Sequence, residues 1–437
     1  MIPWLQAGGR PAGRKEPSAP EVSLESPSPG TVMPYLTLLR RPHVTRLLSS
    51  SLIGRLPTAM AALAIALVLR EAGMDYRLVG LATGAYAVAG AVGGPLLGRV
   101  VDRVGQSGVL VVAAVVSAVG FALVALAPGV AFWAVAGAVL AGAATPPLEP
   151  CLRALWPELV DEGELDAAYA MDAGAQEIVF VAGPLLVGGM AAFGAGRPAL
   201  WVAAVLGLVG SLAMASASPS RRWRAGARSA DWLGPLRSRA LVVLLVALAG
   251  SGWALGSFNV FAVAYAEARP LPGGAGLLLA LSALGALIGA VSFGVIRWKA
   301  SAAMKAWVLA AGMAATYWLV VLVPGAVGMC LIALATGVFF APLLSVSFGL
   351  VGQLAPAGTT TEAFAWLVTL IGTGIAGGSA VGGALLDGGA SGPGGALLES
   401  GALAREAAVG AVGVTVCAIL LLAARRVITK EARVTVR

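Results

Sequence analysis

GVLVVAAVVSAVGFALVALA, residues 108–127, carries no charged side chain. A helix that crosses a bilayer needs about 20 mostly apolar residues, because lipid offers no partner to the backbone N–H and C=O groups. Two further stretches, 241–265 and 405–424, are as long and almost as free of charge. Working outward from these three, twelve apolar stretches follow one another: 44–70, 78–101, 108–127, 130–152, 169–193, 197–217, 239–267, 274–296, 303–323, 325–352, 361–387 and 404–425. They are called spans 1 to 12. The joins at Pro128 and Pro324 are only a few residues long. A chain of 437 residues that is 59% hydrophobic and 11% charged is excluded as a soluble protein.

The second six spans repeat the first six at an offset of 195 residues. Gly90 falls on Gly285, Gly94 on Gly289, Gly142 on Gly337 and Pro147 on Pro342. Ala168-Tyr169 falls on Ala363-Phe364, and Gly188 on Gly383. Glycine matches are cheap in a chain with 59 of them, so the paired prolines of spans 4 and 10 weigh more. Six spans per half keep both halves in one orientation, so the repeat is parallel, with an axis along the membrane normal. The expected fold is an all-α membrane protein: twelve transmembrane helices in two parallel six-helix repeats around a central cavity. Gly90, Gly94 and Gly98 of span 2 lie four apart on one face, as do Gly374, Gly378 and Gly382 of span 11. Such faces let helix backbones approach closely where lipid supplies no hydrophobic drive.

Basic residues are retained on the cytoplasmic side of a membrane. With the N-terminus inside, the outer loops hold Arg70, Arg77, Arg197, Arg269 and Arg405, and Arg55 lies within a span. The cytoplasmic segments then hold the other 23 of 29 Lys and Arg residues. The densest group is Arg221, Arg222, Arg224, Arg228, Arg237 and Arg239, between spans 6 and 7. The net charge of +8 is therefore a topology signal, not a nucleic-acid footprint. The excess of Arg over Lys suits a GC-rich bacterial genome, and a bacterial cytoplasmic membrane is the expected location. The expected organisation is a disordered tail over 1–33, a first bundle over 34–217, a cytoplasmic linker over 218–238, a second bundle over 239–425 and a cytoplasmic tail over 426–437. Met33 is a second candidate start, and no cleavable signal peptide is expected. GGASGPGGALLES, residues 388–400, reads as a flexible linker. Cys151, Cys330 and Cys417 fall in spans and imply no disulfide.

The stretch GPLLGRVVDRVGQSG at 94–108, between spans 2 and 3, resembles the loop signature of the major facilitator superfamily. Gly98, Asp102, Arg103 and Gly105 match it; Gln106 and Ser107 stand where the family usually has basic residues. The resemblance extends over about 34–430. It implies a cavity lined mainly by spans 1, 4, 7 and 10, and a gate in which Asp102 meets the start of span 11 near Thr359 to Glu362. A helix N-terminus offers free N–H groups and partial positive charge to a carboxylate. The simpler alternative is that Asp102 holds its own turn and pairs with Arg99 or Arg103. VAGPLLVGGM, residues 181–190 in span 5, resembles the Gly-Pro motif of the drug-antiporter branch at Gly183 and Pro184. That favours export over import. Gly188 and Gly189 sit one residue late for the motif, and the Arg that this branch carries in span 4 is not found upstream of Gly142. Proline bends a span, so Pro147, Pro184 and Pro342 mark expected bends.

A charge at mid-bilayer costs roughly 2.5–3.5 kcal/mol on insertion scales, so intramembrane charges are functional candidates. Arg55 lies ~15 Å into span 1 and Glu177 ~12 Å into span 5 at 1.5 Å per residue. The expectation is an Arg55–Glu177 ion pair with Gln176 beside it, serving proton coupling or substrate. Glu149 borders the cytoplasmic mouth near Arg153, and Asn259 could face the cavity from span 7. Asp172, Glu267, Glu362 and Asp387 read as interfacial. The acidic run 158–166 reads as a cytoplasmic loop that could flank a helix start. His43, the only histidine, supports no metal site. No catalytic cluster, nucleotide-binding loop or cofactor motif is present.

These residues point to a secondary active transporter exporting a small amphiphilic molecule against protons, acting as a monomer. The expected partners are that small-molecule substrate, protons and the lipid bilayer, with no nucleic acid. An importer of a small metabolite on the same fold is the first alternative. A multipass enzyme or lipid-handling protein, or a non-transporting membrane protein, is the second.

Overall fold

The computed structural model describes residues 34–192, 196–226, 233–269, 271–295, 298, 300–389 and 395–435. The expected tail over 1–33, Arg228, and residues 390–394 of the Gly-rich stretch lie outside them. Most of the described residues are helical, and none of them is in a strand. Twelve helices are long and apolar enough to cross a membrane: Val44–Glu71, Tyr76–Val104, Gln106–Leu126, Ala131–Leu159, Glu162–Ala191, Gly196–Ala215, Arg239–Ala268, Gly274–Gly294, Ala302–Val320, Ala326–Leu354, Thr360–Leu386 and Gly401–Ala432. These are spans 1 to 12 as observed.

Packing within the halves repeats pair for pair. Span 1 packs on spans 5 and 6, span 2 on span 4, and span 3 on spans 4 and 6. Span 7 packs on spans 11 and 12, span 8 on span 10, and span 9 on spans 10 and 12. The glycines explain how. A side chain on Gly142 would strike the Tyr86 carbonyl, and one on Gly337 the Ser282 carbonyl. Gly93 abuts the Ala143 carbonyl and Gly289 the Val338 carbonyl, acceptors 195 residues apart. The stripe in span 2 does not form one contact face. Gly90 faces span 4, where a side chain would lie 3.5 Å from the Gly142 carbonyl, while Gly94 and Gly98 face span 11. In span 11, Gly374 and Gly378 admit the Ala249 and Trp253 carbonyls of span 7.

One face of the molecule carries residues 34–43, the 218–226 segment and the end of span 12: Ser218 lies 3.4 Å from His43, and Ser238 donates to Glu431 at 3.1 Å. It is called the basic face. Contacts between the two halves cluster toward it: span 2 on span 11, span 5 on spans 8 and 10, and span 4 on span 11. Pro34–Arg40 forms a short helix ahead of span 1. Tyr35 crosses to the other half and donates to the Ala290 carbonyl at 2.8 Å, and burial pushes its phenol up to about 12.

Several expectations are corrected. Span 4 is interrupted: Ala131–Ala143 and Leu148–Leu159 are separate helical pieces around Thr145-Pro146-Pro147. Two consecutive prolines remove two backbone donors, so the helix cannot continue. Its repeat partner, span 10, has Pro342 alone and stays helical from Ala326 to Leu354. The acidic run, by contrast, flanks a helix start as expected. Asp161 and Glu164 close a capping box over Glu162–Glu164, and the helix of span 5 begins at Leu165. Arg41 bridges both carboxylates, at 2.5 and 2.9 Å, which holds its guanidinium above the usual range. Residues 395–400 of the expected linker are helical, as is the expected tail as far as Thr435.

Candidate functional site

Two features occupy the contact between the halves. The first is built on Asp102, in the last turn of span 2. Its Oδ1 accepts from the Thr361 N–H at 3.0 Å and its Oδ2 from the Glu362 N–H at 2.9 Å. The carboxylate thus caps the first turn of span 11 in the other half, where free donors and the helix dipole favour negative charge. Gly98, one turn earlier, makes this approach possible: a side chain there would lie 3.0 Å from the Glu362 Cα and 3.1 Å from the Thr361 carbonyl. Arg99 does not pair with Asp102. Its Nε donates to Glu362 Oε1 at 3.0 Å. Glu362 lies in the first turn of span 11, at a span end as expected, and is buried there, 1% exposed.

Arg103 is exposed. Gly105 takes φ 95°, in the left-handed region, and packs under Arg224. Gln106, where the family usually has a basic residue, is fully buried and donates to the Cys151 carbonyl at 3.1 Å. Ser107 donates to the Ala215 carbonyl at 2.8 Å. These two residues tie the loop to spans 4 and 6 through uncharged bonds.

The second feature is a buried cluster of two arginines and two carboxylates. Arg55 in span 1 donates through Nη1 to Asp172 Oδ1 at 2.9 Å, and its Nη2 lies 4.0 Å from Glu149 Oε2. Arg153 donates through Nε to Asp172 Oδ2 at 2.8 Å and pairs with Glu149 one turn earlier. The charges balance, which is what a low-dielectric interior demands. Arg55, Arg153 and Asp172 are at most 4% exposed, whereas the Glu149 side chain is 17% exposed. Arg55 Nε and Nη2 have no hydrogen-bond partner. The Arg153 guanidinium also stacks on the Phe348 ring of span 10, 3.5 Å from its centroid, which brings the cluster against the second half.

The expected Arg55–Glu177 pair is therefore not formed; Arg55 pairs with Asp172 and approaches Glu149. Helical geometry gives the reason. Positions 172 and 177 are five residues apart and point in different directions at 3.6 residues per turn. Asp172 and Gln176, four apart, share a face. Among the described residues Glu177 has no ion-pair partner, and it is partly exposed. Gln176 is buried with its Oε1 unpaired. Asn259 is exposed in span 7. Asp172 is buried, not interfacial, because span 5 begins earlier than its hydropathy suggested. The bends fall as follows. Pro147 ends the gap in span 4, while Pro184 and Pro342 lie within continuous helices. Gly183 beside Pro184 packs on Ala59 of span 1.

Sequence reasoning overlooked Glu406, which is fully buried in span 12 and accepts from Ser257 at 2.8 Å. Glu406 falls in the first turn of the expected span 12, beside Arg405, and the earlier start of the helix at Gly395 places it deeper than that.

Twelve helices in a parallel repeat of six, with the start of span 11 capped by Asp102 of the opposite half, are the architecture of a two-bundle membrane transporter. The chain matches the Major Facilitator Superfamily over residues 47–379 and belongs to that superfamily. Among curated proteins none matches. Solved structures share the fold. A bacterial homologue of the iron transporter ferroportin, in an outward-facing state, is 16% identical with a TM-score of 0.68, covering 86% of this chain and 98% of that one. The E. coli fucose:proton symporter is 12% identical with a TM-score of 0.65, covering 89% and 98%. The human organic anion transporter MFSD10 is 14% identical with a TM-score of 0.60, covering 85% and 99%.

Proposed function

We propose that this transporter exports a small amphiphilic molecule in exchange for protons, by alternating access in a bacterial cytoplasmic membrane. Its basic face, which carries residues 34–43 and the end of span 12, is the cytoplasmic side, following the retention of Lys and Arg there. The conformation described is then closed to the inside, with Asp102 on span 11 as the gate. Gly98, Arg103 and Gly105 shape the turn that presents it. The bundles 34–217 and 239–425 rock about this contact, joined by the linker 218–238.

The observation that carries the coupling is the balanced cluster Arg55–Glu149–Arg153–Asp172. Glu149 is its accessible carboxylate. Protonation there removes one negative charge, leaves Arg153 and Arg55 sharing Asp172, and so changes what is buried against Phe348. Gln176, Glu177 and Asn259 are the polar groups left for substrate. A fucose:proton symporter on the same fold is a precedent for proton coupling.

Accumulation of a panel of dyes and antibiotics tests this reading, in cells with and without the protein and with and without a proton uncoupler. Lower accumulation that the uncoupler abolishes is the expected result. Higher accumulation of any panel member in the expressing cells would favour an importer. In proteoliposomes, Glu149→Gln should permit substrate exchange but not pH-driven movement. Normal pH-driven movement in that variant would remove Glu149 from the coupling.

A further inference from the structure

Glu406 stands apart from the cluster described above. It is 0% exposed, and the helix that carries it starts at Gly395, which places it ~16 Å from that helix start at 1.5 Å per residue. Ser257 of span 7 donates to its Oε1 at 2.8 Å, and its Oε2 has no hydrogen-bond partner. Tyr317 of span 9 is 2% exposed, and its hydroxyl is also without a partner. The three residues meet around Gly410, where a side chain would lie 3.0 Å from Ser257 Oγ and 3.3 Å from the Tyr317 ring. Gly382 of span 11 closes the remaining side: a side chain there would lie 2.6 Å from Glu406 Oε1.

No cation compensates this carboxylate among the described residues. Arg405, its neighbour in sequence, is exposed and donates to the Gly401 carbonyl. The charged residues of the spans packed around it lie in their terminal turns: Arg239 and Glu267 in span 7, Lys305 in span 9 and Glu362 in span 11, with none in span 10. Tyr317 is the titratable group that faces it. The fold does not require an acid here. At an offset of 195, Ser257, Tyr317 and Glu406 correspond to Ala62, Ala122 and Ser211. The polar trio therefore belongs to the second half alone.

A carboxylate buried without a cation is too costly to remain charged. We propose that Glu406, with Ser257 and Tyr317, is a proton-binding site of the second half. At rest the carboxyl is neutral. Ser257 donates to the carbonyl oxygen Oε1, and the acid hydrogen sits on Oε2. When water reaches the site, the Oε2–H bond breaks, the proton passes to water as hydronium and the carboxylate remains; reloading is the reverse. The tie to transport rests on the proposed proton coupling, but the binding itself does not.

Infrared difference spectroscopy of the full chain in lipid nanodiscs, between acid and alkaline buffers, reads the protonated carboxyl through its C=O stretch. The expected result is a carboxyl band that declines at alkaline pH and is missing from Glu406→Gln, but is retained in Glu149→Gln. Ser257→Ala should shift that band, because Oε1 loses its donor; this arm stands even if Glu406→Gln does not fold. A wild-type spectrum with no band removed by Glu406→Gln and none shifted by Ser257→Ala would overturn the proposal. So would a band that does not change with pH. A loss driven by sodium at constant pH would overturn it as well, and reassign the site to a cation. Uncoupled transport with this band intact would instead refute the proton-coupled reading while leaving the site standing.

Discussion

Positions 55, 149, 153 and 172 of the first half hold Arg, Glu, Arg and Asp; the positions 195 residues later, 250, 344, 348 and 367, hold Gly, Leu, Phe and Leu. Leu344, Phe348 and Leu367 are buried, as are Arg55, Arg153 and Asp172. One scaffold therefore accepts either a balanced set of charges or an apolar filling at the same place. Replacing a buried ion pair with apolar groups of similar size is often neutral or stabilising. Stability alone gives no reason to keep four charges in the first half when the second does without them. Under the proposed coupling, the charged half is where protonation would alter the packing, and the apolar half is the wall it meets.

The most direct way to break this comparison is to unbalance the first half. Arg55→Ala leaves carboxylates without their counter-ion and should cost about 3–5 kcal/mol, read as loss of folded protein in thermal unfolding. Arg55→Met with Asp172→Leu leaves the Glu149–Arg153 pair and should recover most of that loss. If the double variant is as unstable as the single one, charge balance is not what the cluster supplies. Charging the second half is the converse. Leu367→Asp places an acid opposite no cation and should cost roughly 2.5–3.5 kcal/mol in insertion or stability.

The contact between the halves sharpens the comparison with smaller effects. Gly98→Ala presses against the first turn of span 11, and overpacking of this kind costs about 1–3 kcal/mol. Gly94→Ala meets only the Thr369 hydroxyl, at 3.7 Å, and should be tolerated. Transport assays and thermal shifts on the two variants should therefore diverge; equal effects would mean the span 2–span 11 contact is not held tightly. Asp102→Asn keeps the shape but loses the charge on the helix terminus, worth up to ~2 kcal/mol when partly buried. Cysteine labelling from the basic face should increase in that variant. Lys305→Ala removes a pair with the exposed Asp166, at 3.0 Å, and should cost at most about 1 kcal/mol.

Much of this was legible in the sequence. Apolar length fixed the twelve spans closely, and the loop signature placed Asp102 at the start of span 11. The pairing of Arg55 was not legible. Hydropathy starts span 5 at Tyr169, because the acid-rich turn before it resembles a loop; the capping box that lets the helix begin at Leu165 depends on side-chain geometry. Asp172 therefore looked like a residue at a membrane surface. A polar stripe at 169, 172 and 176 was available as a signal, since those positions share a helix face and Glu177 does not. Glu406 stood at the very start of the expected span 12, beside Arg405, where a charge at a span end calls for no partner; the helix in fact begins at Gly395. Span boundaries, more than span existence, decided which charges seemed to be inside.

The stack of Arg153 on Phe348 joins two positions exactly one repeat apart. A residue that touches its own counterpart lies beside the pseudo-twofold axis, where any substitution in a true homodimer would appear twice. Two arginines there would set like charges face to face, and two phenylalanines would leave the first half's acids short of a cation. Only a chain with both halves fused, and free to diverge, can place a cation on one side and a ring on the other. Phe348→Arg restores the doubled state and should part the halves at this point, visible as increased labelling of cysteines introduced along span 10. Fusion here does more than tie two bundles together: it lets the axis itself be asymmetric.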